Sequence, residues 1–343
     1  MENNNIPERD EFKIEIKEAP STQKRVKKDL KSINDITKDD VFEIFDIAHE
    51  LKKLLKKGVY EHHLQNKVLA MIFEKPSLRT RFTFEVGMYQ LGGYAVYLAP
   101  NDIELGKRET LYDTAKNLER WADMIMIRTF DQKNVDDIAR YASIPVINGL
   151  SDEEHPCQAL TDLFTLEEKF GNIQGMNMTF IGDGNNVCHS LMMLCAKLGV
   201  NLTIGVPRGY EPKEKFVKGA QKLCKVNNCT FKIVNDPFEA VKEAYVIYTD
   251  VWASMGQENE AEERKKVFTP FQVNKKLVDS ALENVLIMHD LPAHRGEEIT
   301  DEVMDASYSI VFDQAENRLH TQKGIMVFLN REIIRKVIDF TLM

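Results

Sequence analysis

The chain has 343 residues, 43% hydrophobic and 29% charged, which is ordinary for a soluble globular protein and long enough for two domains of usual size. A net charge of −9 with no basic stripe argues against nucleic-acid binding, and no apolar run reaches the length of a membrane helix. Residues 1–18 are rich in acids, unlike a secretory signal or a mitochondrial presequence, so a polar extension over residues 1–30 and a cytoplasmic location are expected.

Thr37, followed by Lys38-Asp39-Asp40, reads as a helix cap, and Val41, Phe42, Ile44, Phe45, Ile47, Ala48 and Leu51 keep helical spacing behind it. The apolar run 68–73 reads as a buried parallel strand. A helix over 77–91 follows, capped by Ser77 and ended by Gly92-Gly93. Strands over 94–98, 124–127 and 146–148 alternate with a helix over 111–121. After Gly149 the pattern restarts: a helix over 156–170, a strand over 178–181, a helix to Gly199 and a strand over 201–206. Further strands are predicted over 230–234, 245–249, 285–288 and 309–312, and a last helix over 324–342. This alternation predicts an α/β protein of two similar-sized domains, each a mostly parallel sheet flanked by helices. Without a low-complexity linker near residue 150, the halves should pack around a cleft that holds the active site at strand carboxyl ends.

Chemistry-bearing residues fall at those ends. Lys75-Pro76-Ser77-Leu78-Arg79-Thr80-Arg81 brings arginines and hydroxyls to a helix start, the make-up of an oxyanion site. A capped surface helix with solvated arginines is the plain alternative. Arg128-Thr129, His155-Pro156-Cys157-Gln158 and Glu316-Asn317-Arg318 lie at other predicted strand ends or helix starts, where they could converge on one small anion bearing a carbonyl. The last of these is placed after a strand ending at Phe312-Asp313. Gly182-Asp183-Gly184 follows a strand, but Val187 occupies the third glycine position of a dinucleotide fingerprint and the next strand ends in Val206-Pro207-Arg208 without an acid. Asn186 therefore reads as an amide grip on a carboxylate. Asp250 can pair with an ammonium or, equally, cap a helix. The cysteines Cys157, Cys188, Cys195, Cys224 and Cys229 are odd in number, form no C-x-x-C pair and read as free thiols in a reducing compartment.

Taken in order, Ser77-Leu78-Arg79-Thr80-Arg81, Met126-Ile127-Arg128-Thr129, His155-Pro156-Cys157-Gln158, Gly182-Asp183-Gly184-Asn185-Asn186, Asp250-Val251-Trp252-Ala253-Ser254-Met255-Gly256 and Ala315-Glu316-Asn317-Arg318 make the chain resemble the aspartate/ornithine carbamoyltransferase family, and its ornithine-using members most. The resemblance runs from about residue 33 to the end. It implies a carbamoyl-phosphate domain over 31–150 completed by a C-terminal helix over 319–343, and an ornithine domain over 151–318. It implies that Ser77, Leu78 through its backbone, Arg79, Thr80 and Arg128 hold the phosphate. His155, Gln158 and Arg318 would address the carbamoyl head, with Pro156, Cys157, Asp290 and Leu291 around them. Asn186, Asp250, Ser254 and Met255 would hold L-ornithine. Arg79, Arg128, His155, Asp290 and Arg318 would be the catalytic group, giving L-citrulline and phosphate without metal or organic cofactor. The resemblance also implies a homotrimer in which each site borrows a residue from a neighbour.

Two residues depart from the family pattern. His289-Asp290-Leu291-Pro292 carries an aspartate where relatives usually have a cysteine, and Glu104 stands where they usually place glutamine or histidine. A carboxylate at position 290 favours a nearby ammonium or serves as a general base, and Glu104 would repel phosphate unless paired, for instance with Lys107 or Arg108. Two rival readings stay open on this ground: a carbamoyltransferase for a different amine, and a non-catalytic ligand-binding relative.

Overall fold

A computed structural model describes residues 28–254 and 256–338; the expectations for residues 1–27, Met255 and 339–343 fall outside them. The first half runs α1 (Lys38–Lys56), β1 (Val68–Phe73), α2 (Leu78–Gln90), β2 (Tyr94–Leu98), α3 (Pro100–Ile103), α4 (Leu111–Trp121), β3 (Met124–Arg128), α5 (Gln132–Tyr141) and β4 (Val146–Leu150). The second runs α6 (Pro156–Phe170), β5 (Asn177–Ile181), α7 (Asn186–Leu198), β6 (Asn201–Gly205), α8 (Glu214–Asn227), β7 (Phe231–Val234), α9 (Pro237–Val241) and β8 (Val246–Thr249). It ends with α10 (Ala261–Phe268), α11 (Lys275–Val278), β9 (Leu286–His289), α12 (Asp301–Met304) and α13 (Val311–Ile338). Among the described residues, no helix is long and apolar enough to cross a membrane.

The local signals work as read. Thr37 accepts from the Asp40 N–H and Asp40 answers the Thr37 N–H, a reciprocal capping box. Ser77 caps α2 through the Thr80 N–H at 3.2 Å. Strands lie in two sheets, ordered β2-β1-β3-β4 and β7-β6-β5-β8-β9, and every pairing is parallel. Both orders reverse once, between β1 and β3 and between β5 and β8. At such switch points the loops leaving two strands diverge and open a crevice.

One prediction fails. The run 309–312 is not a strand: Ser309 makes a single bridge to Ile287, and Val311 already starts α13. The final helix therefore begins thirteen residues before Gly324, and Glu316-Asn317-Arg318 ride on its first turns rather than after a strand. The apolar triplet Ile310, Val311 and Phe312 reads as a strand in isolation. Burial of Ile310 and Val311, with Phe312 left exposed, suits a helix entering the core equally well.

Helix α13 joins the halves. One hydrophobic core contains Phe45 of α1, Phe73 of β1, Phe164 of α6, Leu194 of α7 and Ile325 to Leu329 of α13. Phe45 meets Phe164 edge-on at 5.5 Å. Lys52 of α1 donates to Asn317 (2.6 Å) and to Glu168 of α6 (2.8 Å), so the same three helices share a polar joint. Closest approach is at Gly324, where a Cβ would come within 2.6 Å of the Ile44 carbonyl. Gly324→Ala should therefore lower stability by about 1–3 kcal/mol through overpacking. Urea unfolding would read it as a fall in midpoint at unchanged slope.

Candidate active site

Both switch points face a single cleft of about 940 Å³. Its walls carry Ser77, Leu78, Arg79 and Thr80 after β1, Arg128 at the end of β3, and His155 after β4. The second sheet contributes Asn186 after β5, Asp250 and Ser254 after β8, and Asp290 and Leu291 after β9, while Arg318 enters from α13. Residues from Ser77 to Arg318 are brought together because the carboxyl ends of β1, β3, β4, β5, β8 and β9 open on the same gap and α13 runs past it.

The first-sheet end of the cleft is cationic. Arg128 is buried, and burial with the charges of Arg318 and Arg79 brings its pKa down to about 10. Burial likewise lowers Arg79 and Arg318. Burial and these three cations push His155 well below the ordinary histidine value, so its ring is neutral and able to donate one hydrogen bond. Arg128 Nε, Arg318 Nε and His155 Nδ1 are buried without a partner among the described residues. Helix α2 adds its first-turn N–H groups and the positive end of its dipole. Mutual repulsion of two buried guanidiniums and the half-buried one of Arg79 is relieved by an anion, and phosphate matches their forks. Of the two arginines in the α2 motif only Arg79 serves here. Arg81 turns out, its guanidinium 3.7 Å from the Tyr97 ring centroid and paired with Glu85 at 3.0 Å.

A chain of buried side chains sets this end. Arg318 Nη1 donates to Gln158 Oε1 (2.5 Å) and Nη2 to Thr80 Oγ1 (3.1 Å). Gln158 Nε2 donates to Asp162 Oδ1 (2.7 Å), which also takes the Gln314 amide (2.7 Å). Burial lifts Asp162 to about 7 despite those two donors. Gln158 thus lies behind Arg318 rather than on the cleft wall. Pro156 and Cys157 also sit off the wall, Cys157 buried with its Sγ 3.4 Å from the Asn148 carbonyl oxygen. Glu104 lies outside this cleft altogether: it is exposed, with φ 39°, and its carbonyl accepts the Lys107 and Arg108 N–H groups. Its carboxylate forms no ion pair with either of them.

Asp162 and Gln314 escaped the sequence reading. Gln158 and Asp162 stand four apart on α6, a spacing that places them on one helix face and was available as a signal. Gln314 carries none, because it falls between the strand expected over 309–312 and the helix expected from 324.

The opposite end is acidic. Asp250 accepts from Asn185 Nδ2 and from the Val251 N–H, each at 2.7 Å. Burial and the charge of Asp290 raise its pKa well above the usual carboxylate range, which favours its protonated form. Burial pushes Asp290 up too, but the His289 hydrogen bond and charge, Asp250 and Arg79 outweigh it and hold its carboxyl below the usual range. His289, also buried, faces Glu298 (3.0 Å) and Asp290 (3.4 Å). Burial opposes its charge, but these acids raise it to about 10. The Leu291 N–H points at His289 Nδ1 at 2.9 Å, which suits a neutral ring. That hydrogen bond is worth roughly 1 kcal/mol. The acids on both sides of the ring nonetheless favour its charged form. Donor atoms of Asp250, His289 and Asp290 lie within 4.8 Å of one another, as do those of His294, Glu297 and Glu298. A cation could use either spacing, but the His289 charge already balances the first group, and no metal role is assigned.

Asn186 keeps one amide hydrogen beyond its 2.7 Å bond to the Ser151 carbonyl. Gly184 explains the Gly-Asp-Gly sequence without a nucleotide. A Cβ there would overlap the Glu211–Pro212 backbone, and its N–H bonds the Tyr210 carbonyl, so the place a pyrophosphate would take is filled by chain. Asp183 is lifted to about 6 by burial, although Arg264 binds it at 3.0 Å.

If the cationic end is an anion site, Arg128→Met should weaken inorganic phosphate by about 10- to 100-fold, the worth of one charge-assisted hydrogen bond. Calorimetric titration would measure it, and unchanged affinity would place phosphate elsewhere.

Comparison with known proteins agrees with this geometry. Residues 28–168 match the aspartate/ornithine carbamoyltransferase carbamoyl-P binding domain, and residues 174–329 match the Asp/Orn binding domain. The chain is 54% identical over 302 residues to an ornithine carbamoyltransferase of Thermococcus kodakarensis, covering 88% of this chain and 96% of that one. It superposes on the ornithine carbamoyltransferase of Pyrococcus furiosus with a TM-score of 0.86 at 52% identity, covering 88% and 96% of the two chains. The anabolic enzyme of Campylobacter jejuni gives 0.84 at 36% identity, covering 89% and 99%. With both domain models matched in order, and with relatives this similar along nearly their whole length, the chain belongs to the aspartate/ornithine carbamoyltransferase family.

Proposed function

We propose that this chain transfers the carbamoyl group of carbamoyl phosphate to the δ-amine of L-ornithine, giving L-citrulline and phosphate. The observation that carries the reading is one cleft with three arginines and a neutral histidine at one end and an acidic group at the other, in a chain 54% identical to an ornithine carbamoyltransferase. The arginine end suits a dianionic phosphate ester; the acidic end suits a diamino acid.

In this reading Ser77, the Leu78 backbone, Arg79, Thr80 and Arg128 hold the phosphate. Neutral His155 and Arg318 donate to the carbonyl oxygen, where negative charge grows as nitrogen attacks. Fixed donors in a dry cleft lower that barrier without reorganising. Gln158 acts through Arg318 by fixing the plane of its guanidinium. Asn186 and Ser254 take the α-carboxylate and α-ammonium region with Asp250, and Met255 follows Ser254 in sequence. Both substrates sit in one gap, so proximity supplies a further share of the rate.

The division into a carbamoyl-phosphate domain over 31–150, completed by α13, and an ornithine domain over 151–318 follows the two sheets, and the protein works in the cytoplasm as a homotrimer. Support for assembly comes from the outer face of α2, where Leu78, Phe82 and Tyr89 are 75%, 62% and 76% exposed beside Tyr94 and Val96 of edge strand β2. Glu104 lies outside its own cleft, so its contribution would be to a neighbour's.

The test is citrulline formation from carbamoyl phosphate and L-ornithine; no turnover across an amine screen would end the reading. His155→Ala should lower kcat about 10²–10³-fold, the usual loss of one oxyanion donor. Because its pKa lies well below 6.5, His155 should add no limb to the pH–rate profile above pH 6.5. Asp162→Leu should lower kcat about tenfold or more by releasing Gln158 and Arg318, while Asp162→Asn, which keeps an acceptor, should stay near wild type. Steady-state kinetics with unfolding controls would separate these outcomes.

A further inference from the structure

Helix α8 ends on a left-handed residue. Asn228 has φ 54°, and the N–H groups of Asn228 and Cys229 both return to the Cys224 carbonyl, the second at 3.1 Å. In a helix stop of this form the residue after the left-handed one folds back over the last turn and touches a side chain there. Here both members of that contact are cysteines. Their Sγ atoms stand 2.9 Å apart, closer than two unbonded sulfurs usually sit. A disulfide bond of about 2.0 Å lies only about 0.9 Å away, and the main chain is already held at the spacing it needs.

The two thiols differ in access. Cys224 is buried in the common core, while Cys229 is half-buried at its edge. Cys157, Cys188 and Cys195 are fully buried, so Cys229 is the sulfur a reagent in solution can reach. Burial, with the Cys229 hydrogen bond and charge, pushes the Cys224 thiol up to about 12, which keeps it protonated until its partner has reacted. Among the described residues, no third His, Cys, Asp or Glu joins the two sulfurs at metal-ligand spacing. Neither sulfur lines the cleft. What remains for the pair is an apolar contact or a bond.

We propose that Cys224 and Cys229 are a redox-active dithiol that closes to a disulfide on meeting a small oxidised disulfide such as oxidised glutathione, pinning the end of α8 to the start of β7. The proposal is independent of the carbamoyl-transfer reading. The Cys229 thiolate attacks one sulfur of the reagent, whose S–S bond breaks and releases a first small thiolate. The Cys224 thiol then gives up its proton and its sulfur attacks Cys229 Sγ, expelling the second small thiolate. Two electrons pass from the pair to the reagent, and the two thiol protons leave with the two small thiols. Because the thiolate is the reactive form, closure quickens as pH rises. In a reducing compartment the pair rests as the dithiol.

The experiment holds the folded full chain at about pH 8 in glutathione buffers running from reduced to an excess of oxidised glutathione. Acid quenching, alkylation and peptide mass mapping then count the free thiols. Of the five thiols, two should disappear at the oxidised end and return with excess dithiothreitol. Trypsin cuts between the pair at Lys225, so the product should be two peptides joined through Cys224 and Cys229, with no glutathione retained. Cys224→Ser should stop with glutathione on Cys229, whereas Cys229→Ser should leave Cys224 unmodified. In the native chain, closure should slow tryptic cleavage at Lys225 by about threefold or more, since that cut needs the corner to open. Five free thiols in excess oxidised glutathione overturn the proposal, as does glutathione left on wild-type Cys229 or a link made to Cys195. Closure by diamide alone overturns the small-disulfide route, and equal cleavage of the open and closed forms overturns the pinning.

Discussion

The Arg318 guanidinium, buried on α13 and shared between Gln158 of α6 and Thr80 of α2, is the joint on which the cleft depends. Its two hydrogen bonds fix three helices to one another at the point where the two sheets face. A buried guanidinium with neutral partners alone is costly, and Arg79 and Arg128 nearby add repulsion. Packing compensates: α13 runs through the common core beside α1 and α6, with Gly324 lying against the Ile44 carbonyl and Asn317 against Lys52. The core is therefore the support that holds an unfavourable charge arrangement ready for an anion.

That arrangement is polar along its length. Arginines gather where helix α2 begins and β3 ends, while Asp250 and Asp290 gather where β8 and β9 end. Like charges crowd each end, and each is relieved by a ligand of the opposite charge. Separation along one gap keeps the ends from neutralising each other directly. Their mutual influence remains, since Asp290 supports the charge of Arg79 and Arg79 in turn helps keep Asp290 ionised.

Most of the fold was legible in the sequence because it is built from local signals of high quality. Short apolar strands, the Thr37 and Ser77 caps and the Gly92-Gly93 stop each act over a few residues, and the structure uses them as read. The error at 309–312 has the same origin. A three-residue apolar run has no period long enough to separate strand from helix, and only the continuation of α13 into the core decides it. At the site, the sequence offered the arginines, His155 and Asp250 at strand ends or helix starts with structural alternatives beside each, and the family resemblance added Asp290. It placed Gln158 on the ligand, whereas the structure puts that amide behind Arg318, and it did not reveal Asp162 or Gln314.

By itself, then, the sequence determined which chemical groups stand at which strand ends, since period, caps and turns are written in neighbouring residues. Only the tertiary structure decided which of those groups share the cleft and in what state of charge. Both depend on burial and on partners contributed from distant parts of the chain. Arg318 meets Gln158 and Thr80 because α13 crosses both halves, and Asp290 keeps its charge because His289, held by Glu298 on its other nitrogen, faces it.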